Sequence, residues 1–280
     1  MPDIAIIGAG ELGGSLAHVL ARRDVASTIH LIDETGGVAA GKALDIMQSA
    51  PIECFATRVS GSTELTTAAG AALLFVADRV SGGEWQDEDG LLLLKRVVRL
   101  GARGVIVCAG ASHRLLVERG VRELELPRER LFGSAPEALA AAVRAIVGVE
   151  TGRSPQDVAL TVLGVPPSRI VVPWEEVTIN GFAATRMLDE PTRRRLAAKI
   201  APLWPAGPYA LAAAASKTAE AILGQSRRIV AAFVAPDDSS GHRTRCAALP
   251  ARVGPAGIIR VELPDLNPRD RVALDNAMLL

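Results

Sequence analysis

The stretch DIAIIGAGELGGSLAHVLARR, Asp3 to Arg23, decides the fold. A short apolar run ends in glycines, and behind it Leu12, Leu16, Val19 and Leu20 recur at helical spacing, so it reads as strand, tight turn, helix. Gly8, Gly10 and Gly13 form G-x-G-x-x-G across that turn, with Glu11 and Leu12 between the last two. The spacing alone is a weak signal, but the context supplies what a dinucleotide needs. Gly8 permits the turn, Gly10 lets a pyrophosphate approach the backbone, Gly13 lets helix and strand pack closely, and the helix N-terminus attracts the anion. Asp33 closes the second strand, STIHLID, 25 residues after Gly8, where a carboxylate accepts hydrogen bonds from ribose hydroxyls and repels a 2′-phosphate. The expected cofactor is therefore NAD rather than NADP, bound by Gly8, Gly10, Glu11, Leu12, Gly13 and Asp33.

Outward from this unit, GKALDIMQSA reads as a helix, ALLFVAD and GVIVCAG as buried strands, and ERLFGS as a short last strand. Strands alternating with helices predict a doubly wound parallel sheet, a Rossmann domain over residues 1–134. The pattern changes in residues 135–280, an expected α+β domain. PEALAAAVRAIVGVETG predicts a helix with Pro136 in its first turn and Gly152 as its stop. DVALTVLG, RIVVPW and VTINGFAAT read as strands, with Asn180-Gly181 as a hairpin turn. Helices return in EPTRRRLAAKIAPLW and YALAAAASKTAEAILGQSRRI, antiparallel strands in RIVAAFVAP and RCAALPARVGPAGIIRVELPDL, and a helix begins near Asn267.

With 280 residues the chain is long enough for two such domains. Its 31 Lys and Arg balance 31 Asp and Glu, so no global field favours nucleic acid or an anionic membrane. No apolar run approaches the roughly 20 residues of a membrane span, and the N-terminus enters a strand with no basic segment before it, so a cytoplasmic protein is expected. Cys54, Cys108 and Cys246 are widely spaced without CxxC and read as reduced, apolar filler. No cluster predicts a metal site. The acids of EWQDEDG read as a solvated loop without calcium-loop spacing.

IAIIGAGELGGSLAHVLA, HLIDETGGVAAGKALDIMQSAPIECFATRVSGST and the order of everything after them, including DVALTVLG, AEAILGQSRRIVAAFV and LPARVGPAGIIRVEL, resemble the lactate/malate dehydrogenases, most closely the malate dehydrogenase-like branch. The first 65 residues match specifically; the remainder matches in order and character. The resemblance implies an NAD-binding Rossmann domain, an α+β C-terminal domain and a homodimer formed through the helix at 41–50. It also implies a histidine that carries the proton in 2-keto acid reduction, an aspartate that orients it, and arginines that grip the carboxylate and polarise the carbonyl.

At those positions the sequence departs from the pattern. The family's V-L-G-x-H-G becomes VLGVPPSRIVVP, with Pro166 or Pro167 where the imidazole belongs. A pyrrolidine has no proton to give, lacks an N–H and fixes φ. The helix pattern L-D-x-x-R places Leu139 at the aspartate and Ala142 at the arginine. Arg144 lies two residues on, about 200° around the helix, and is expected to be solvated. In the lid, Ala77, Asp78 and Arg79 replace T-A-G, and Ala109-Gly110 replaces the Asn-Pro that positions nicotinamide.

Among the histidines, His18 and His30 read as structural and His242 as part of a remote polar loop. His113 follows the strand whose C-terminal end faces the nicotinamide, the usual ligand edge of such sheets. It is read either as a rebuilt proton carrier, with Ser112 and Arg114 beside it, or as a surface residue at a helix start. Asp78 and Arg79, at the adjacent strand end, are placed to contact a ligand or to pair with each other. The expected protein is an NAD(H)-binding pseudoenzyme with a regulatory or scaffold role, beside an enzyme partner in one version of that reading. The alternative is an NAD-dependent oxidoreductase whose chemistry has moved to a non-standard substrate. A third reading, loss of nucleotide binding, follows from the carboxylate of Asp78 where glycine normally approaches the cofactor.

Overall fold

The computed structural model describes residues 2–224, 226–237 and 244–279, so His242 lies outside the described residues. The first half alternates β1 (Asp3–Ile7), α1 (Glu11–Arg22), β2 (Thr28–Ile32), α2 (Gly36–Glu53), β3 (Arg58–Ser62) and β4 (Leu73–Val76). A short hairpin, β5 (Asp78–Arg79) and β6 (Gly83–Glu84), leads into α3 (Asp87–Arg99), β7 (Val105–Cys108), α4 (Arg114–Glu123) and β8 (Leu131–Gly133). The long helix α5 (Ala135–Thr151) follows, then β9 (Val158–Ala159), β10 (Leu163–Val165), β11 (Arg169–Val171), β12 (Thr178–Ile179) and β13 (Phe182–Ala183). Helices α6 (Glu190–Ala198) and α7 (Pro208–Leu223), strands β14 (Ile229–Val234), β15 (Ala247–Gly254) and β16 (Gly257–Val261), and helix α8 (Pro268–Met278) complete the chain.

Six strands pair in parallel in the order β3-β2-β1-β4-β7-β8, the Rossmann arrangement. Their order reverses between β1 and β4, and there the C-terminal strand ends open the crevice that binds ligands in such sheets. The sheet then continues antiparallel through β14, β15, β10 and β11, with β16 paired to β15. The central strands β4 and β7 are buried on both faces and read as uninterrupted apolar runs for that reason.

The predicted DVALTVLG strand is two strands. Val158 and Ala159 pair with β12 in a small separate sheet, whereas Leu163 to Val165 join the large one, so the chain must bend between them to change sheets. The turn between β12 and β13 has positive φ at both Asn180 and Gly181, as a two-residue hairpin requires. Pro166 and Pro167 occupy the turn between β10 and β11, closed by the Val165–Arg169 pair. Asp87, Glu88 and Asp89 of EWQDEDG are solvated as expected, but they form the first turn of α3 instead of a loop, where carboxylates suit the helix dipole. Cys108 and Cys246 are buried, but Cys54 is exposed, in the left-handed position that ends α2, and is no core filler.

Helix α5 starts with Pro136 in its first turn and stops at Gly152 in a left-handed conformation. Leu139 is fully buried in an apolar cluster with Val143, Val147 and Val162. Arg144 is not solvated. Its guanidinium donates to Glu137 Oε1 at 2.6 Å, Lys217 Nζ on α7 donates to the same oxygen at 2.6 Å, and the Ala231 amide of β14 donates to Glu137 Oε2 at 3.0 Å. Seven residues are about two helical turns, so Arg144 lies on the same face of α5 as Glu137. Burial pushes the Glu137 carboxyl up, but Arg144, Lys217 and the Ala231 amide outweigh it and hold it below its ordinary value.

A carboxyl held below its unfolded value stabilises the fold fully above that value, 4.5, and loses the contribution as pH falls through the folded value. Glu137→Gln is therefore expected to cost about 3 kcal/mol at neutral pH, the cost of stranding one side of a buried pair. Urea unfolding of both proteins checks it: the gap between them should narrow as pH falls below 4.5.

Candidate active site

The turn after β1 has the geometry its glycines imply. Gly8 has φ +109°, a Cβ on Gly13 would overlap the Gly8 carbonyl, and a Cβ on Gly8 would overlap the backbone of Asp78. Glu11 is exposed on the first turn of α1, whereas the Leu12 side chain is buried, so Leu12 offers the crevice its amide alone. Lys42, reaching across from α2, donates to the carbonyls of Ala9 at 2.8 Å and Gly10 at 2.6 Å and fixes the turn from outside.

Asp33 sits at the end of β2, 5% exposed. Its Oδ2 accepts from the amides of Ala9 at 2.9 Å and Val80 at 3.1 Å, and its Oδ1 from Thr35 at 2.9 Å. An ionised carboxylate has about four acceptor positions, so about one remains.

The amides at the head of α1 are taken. Asp78 Oδ2 accepts from Leu12 at 3.1 Å and Oδ1 from Gly13 at 2.8 Å, and the Asp78 carbonyl accepts from the Gly10 amide at 2.8 Å. Those are the free N–H groups that every helix start leaves over, and here a residue 66 positions away caps them. A Cβ on Gly10 would overlap the Asp78 carboxylate, so the glycine that admits a pyrophosphate admits this side chain instead.

The next strand end repeats the pattern. Glu84 Oε1 accepts from the Ala111 amide at 2.8 Å, and Glu84 Oε2 from the Ser112 amide at 2.7 Å and the Ser112 hydroxyl. A Cβ on Gly110 would overlap this carboxylate too. Asp78 and Glu84 stand directly opposite each other in the β5–β6 hairpin, whose turn carries Gly82 and Gly83 at positive φ. Like charges in that relation repel; each is offset by its own pair of amides. Arg79 does not pair with Asp78. It stacks 4.6 Å over the ring of buried Trp85 and meets Asp89 at 3.3 Å.

His113 is not a surface residue. It is fully buried at the start of α4, where Nδ1 accepts from the Gly110 amide at 3.0 Å and Nε2 has no partner among the described residues. Burial pushes the imidazole down to about 4, against the pull of the Glu84 and Asp78 carboxylates. With Nδ1 accepting, the neutral ring carries its hydrogen on Nε2. Its partners from the sequence reading go elsewhere: Ser112 to Glu84, and Arg114 to Glu118 at 3.6 Å and the Cys246 carbonyl at 3.1 Å. His30 Nδ1 meets Ser60 Oγ at 3.0 Å, and His18 lies 3.9 Å from Glu53. No group of metal-ligating side chains occurs among the described residues. No helix among them is long and apolar enough to cross a membrane.

A histidine held below its unfolded value resists protonation in the folded state, so it contributes nothing above pH 6.5 and costs stability as pH falls from 6.5 toward 4. The His113 ring resonances should therefore stay flat in an NMR titration from pH 8 to pH 5, on the basis of a value pushed down to about 4. His113→Gln should weaken the loss of stability across the same window.

No family model matches the chain. The malate dehydrogenase of Thioalkalivibrio sulfidiphilus is 30% identical over 301 residues, spanning 99% of this chain and 96% of that protein. The malate dehydrogenase of Desulforudis audaxviator is 29% identical over 294 residues, spanning 98% and 94%. Among solved structures, malate dehydrogenase from Salinibacter ruber superposes with a TM-score of 0.88 at 22% identity, over 98% of this chain and 93% of that one. The lactate dehydrogenase of Cryptosporidium parvum, solved with lactic acid and NAD, gives 0.84 at 21% identity, over 99% and 94%. With this sheet order, this glycine turn and relatives matched from end to end, the chain belongs to the lactate/malate dehydrogenase family, in its malate dehydrogenase-like branch.

Proposed function

We propose that this protein binds NAD(H) through the turn after β1 but does not interconvert 2-hydroxy and 2-keto acids, and that it acts as a regulatory or scaffold member of its family. One observation carries the reading. The positions that would supply a proton carrier, its orienting carboxylate and the carboxylate-gripping guanidinium hold Pro166 and Pro167, Leu139 and Ala142. Leu139 is sealed in the apolar cluster, Pro166 and Pro167 close a hairpin, and Arg144 is committed to Glu137. A positioned general acid contributes about 10² to 10⁴ in rate, and each charge-assisted hydrogen bond to a carboxylate about 1.5 to 3 kcal/mol.

The donor set suits a dinucleotide: the Leu12 and Gly13 amides for the pyrophosphate, and Asp33 for a ribose hydroxyl. NAD would supply a hydride acceptor there. The chain's own part is to hold and orient the dinucleotide. Residues 1–134 form the dinucleotide-binding domain in this reading and residues 135–280 the α+β domain. Leu44, 60% exposed, and Ile52, 84% exposed, both on α2, support a homodimer through that helix. The exposed thiol of Cys54 suits a reducing, cytoplasmic setting.

A second reading, an oxidoreductase with relocated chemistry, is favoured by the unpartnered Nε2 of His113 with the Glu84 carboxylate beside it. A fluorescence titration with NADH up to millimolar concentration, followed by assays with oxaloacetate, pyruvate and a panel of aldehydes and ketones, separates the readings. The expected result is saturable binding with oxaloacetate reduction below about 10⁻⁴ of an active relative's rate. Efficient oxaloacetate turnover contradicts the proposal. Turnover of another carbonyl that His113→Gln abolishes establishes the second reading instead.

A further inference from the structure

We infer that the 78–84 hairpin is an autoinhibitory latch that occupies the dinucleotide groove with the protein's own carboxylates and must swing out before a dinucleotide can enter. The inference rests on the reading of the turn as an NAD site and adds how that site is regulated.

The latch touches the groove at three successive places. Val80 donates its amide to Asp33, using one acceptor position of the side chain that would receive a ribose hydroxyl. Asp78 covers the Leu12 and Gly13 amides, the donors that would receive the pyrophosphate. Glu84 covers the Ala111 and Ser112 amides at the next strand end, directly after Ala109-Gly110, the pair at the family's nicotinamide-positioning place. Both carboxylates lie where only glycine leaves room, at Gly10 and Gly110. A phosphate and the Asp78 carboxylate cannot share those two amides, because an N–H has one hydrogen to donate and the two anions would repel each other.

The device can also let go. The two strands of the hairpin contribute only two residues each, its turn is built on Gly82 and Gly83, and Asp78, Arg79 and Glu84 are all partly solvent-accessible. Water can replace every amide contact it makes. Outside those contacts, the hairpin is held by the Gly10 amide on the Asp78 carbonyl, by Val80 packed half-buried against the core, and by the Arg79 stack on Trp85 and pair with exposed Asp89. An equilibrium between latched and open forms lowers the apparent affinity for any groove ligand by the fraction of molecules that are open.

Calorimetric titration with NADH, and separately with inorganic pyrophosphate, of the full chain and its Asp78→Ala, Asp78→Asn and Glu84→Gln variants tests the latch. The asparagine variant keeps the shape if alanine impairs folding, which circular dichroism melts report. Tenfold or greater tightening of both probes in the Asp78 variants, with a smaller gain in Glu84→Gln, is the expected result. Tightening of pyrophosphate without any NADH binding supports the latch and overturns the dinucleotide reading. Equal NADH affinity in all forms overturns the latch and leaves the dinucleotide reading standing. Binding of neither probe to any folded form overturns both.

Discussion

A helix that begins directly behind a parallel strand leaves N–H groups pointing into the crevice of the sheet, and something with negative charge must answer them. In this protein the answer is internal. The Asp78 carboxylate bonds the Leu12 and Gly13 amides, and the Asp78 carbonyl receives the Gly10 amide. The end of β4 is thereby tied to the start of α1 across the point where the strand order reverses. Glu84 does the same for the turn before α4. The crevice is a row of amide donors satisfied by two side chains of one hairpin.

The second half of the chain is held by apolar packing and a buried charge cluster. Helix α5 buries Leu139 among valines, and its Glu137 closes on Arg144 of the same helix and on Lys217 of α7. Glu137 reaches the β14 amide of Ala231 as well, so it joins α5 and α7 to the antiparallel part of the sheet. With two cations and an amide on it, the buried Glu137 carboxylate has three of its roughly four acceptor positions filled.

Much of the fold was legible because its signals are local. The glycines at 8, 10 and 13, the alternation of strands and helices, Asn180-Gly181 and the Pro136 and Gly152 boundaries of α5 each depend on a few neighbouring residues. The site was only half legible, because its decisive contacts are distant in sequence: Asp78 to Gly13 spans 65 residues and Glu84 to Ala111 spans 27. The sequence placed a carboxylate at position 78 but not its engagement with α1. It gave no sign that Glu84 would cap the next turn or that Lys42 would clamp the first. His113 stands between polar Ser112 and Arg114 in the sequence, yet it is fully buried, and the partner of Arg144, Glu137, lies two turns back on the same helix. The glycine at 110 was the available clue, since a glycine where relatives have a bulkier residue marks the close approach of something else.

In the function proposed above, the family's dinucleotide scaffold is kept, proline and aliphatic groups stand in for the acid-handling side chains, and the 78–84 hairpin lies across the scaffold. In the latch we infer, the α1 amides hold either Asp78 or a dinucleotide phosphate, never both. A crystal structure of the protein grown with saturating NADH tests this most directly. It should show the pyrophosphate on the Leu12 and Gly13 amides with Asp78 withdrawn from them; NADH seated in the crevice while Asp78 keeps both amides would contradict the account.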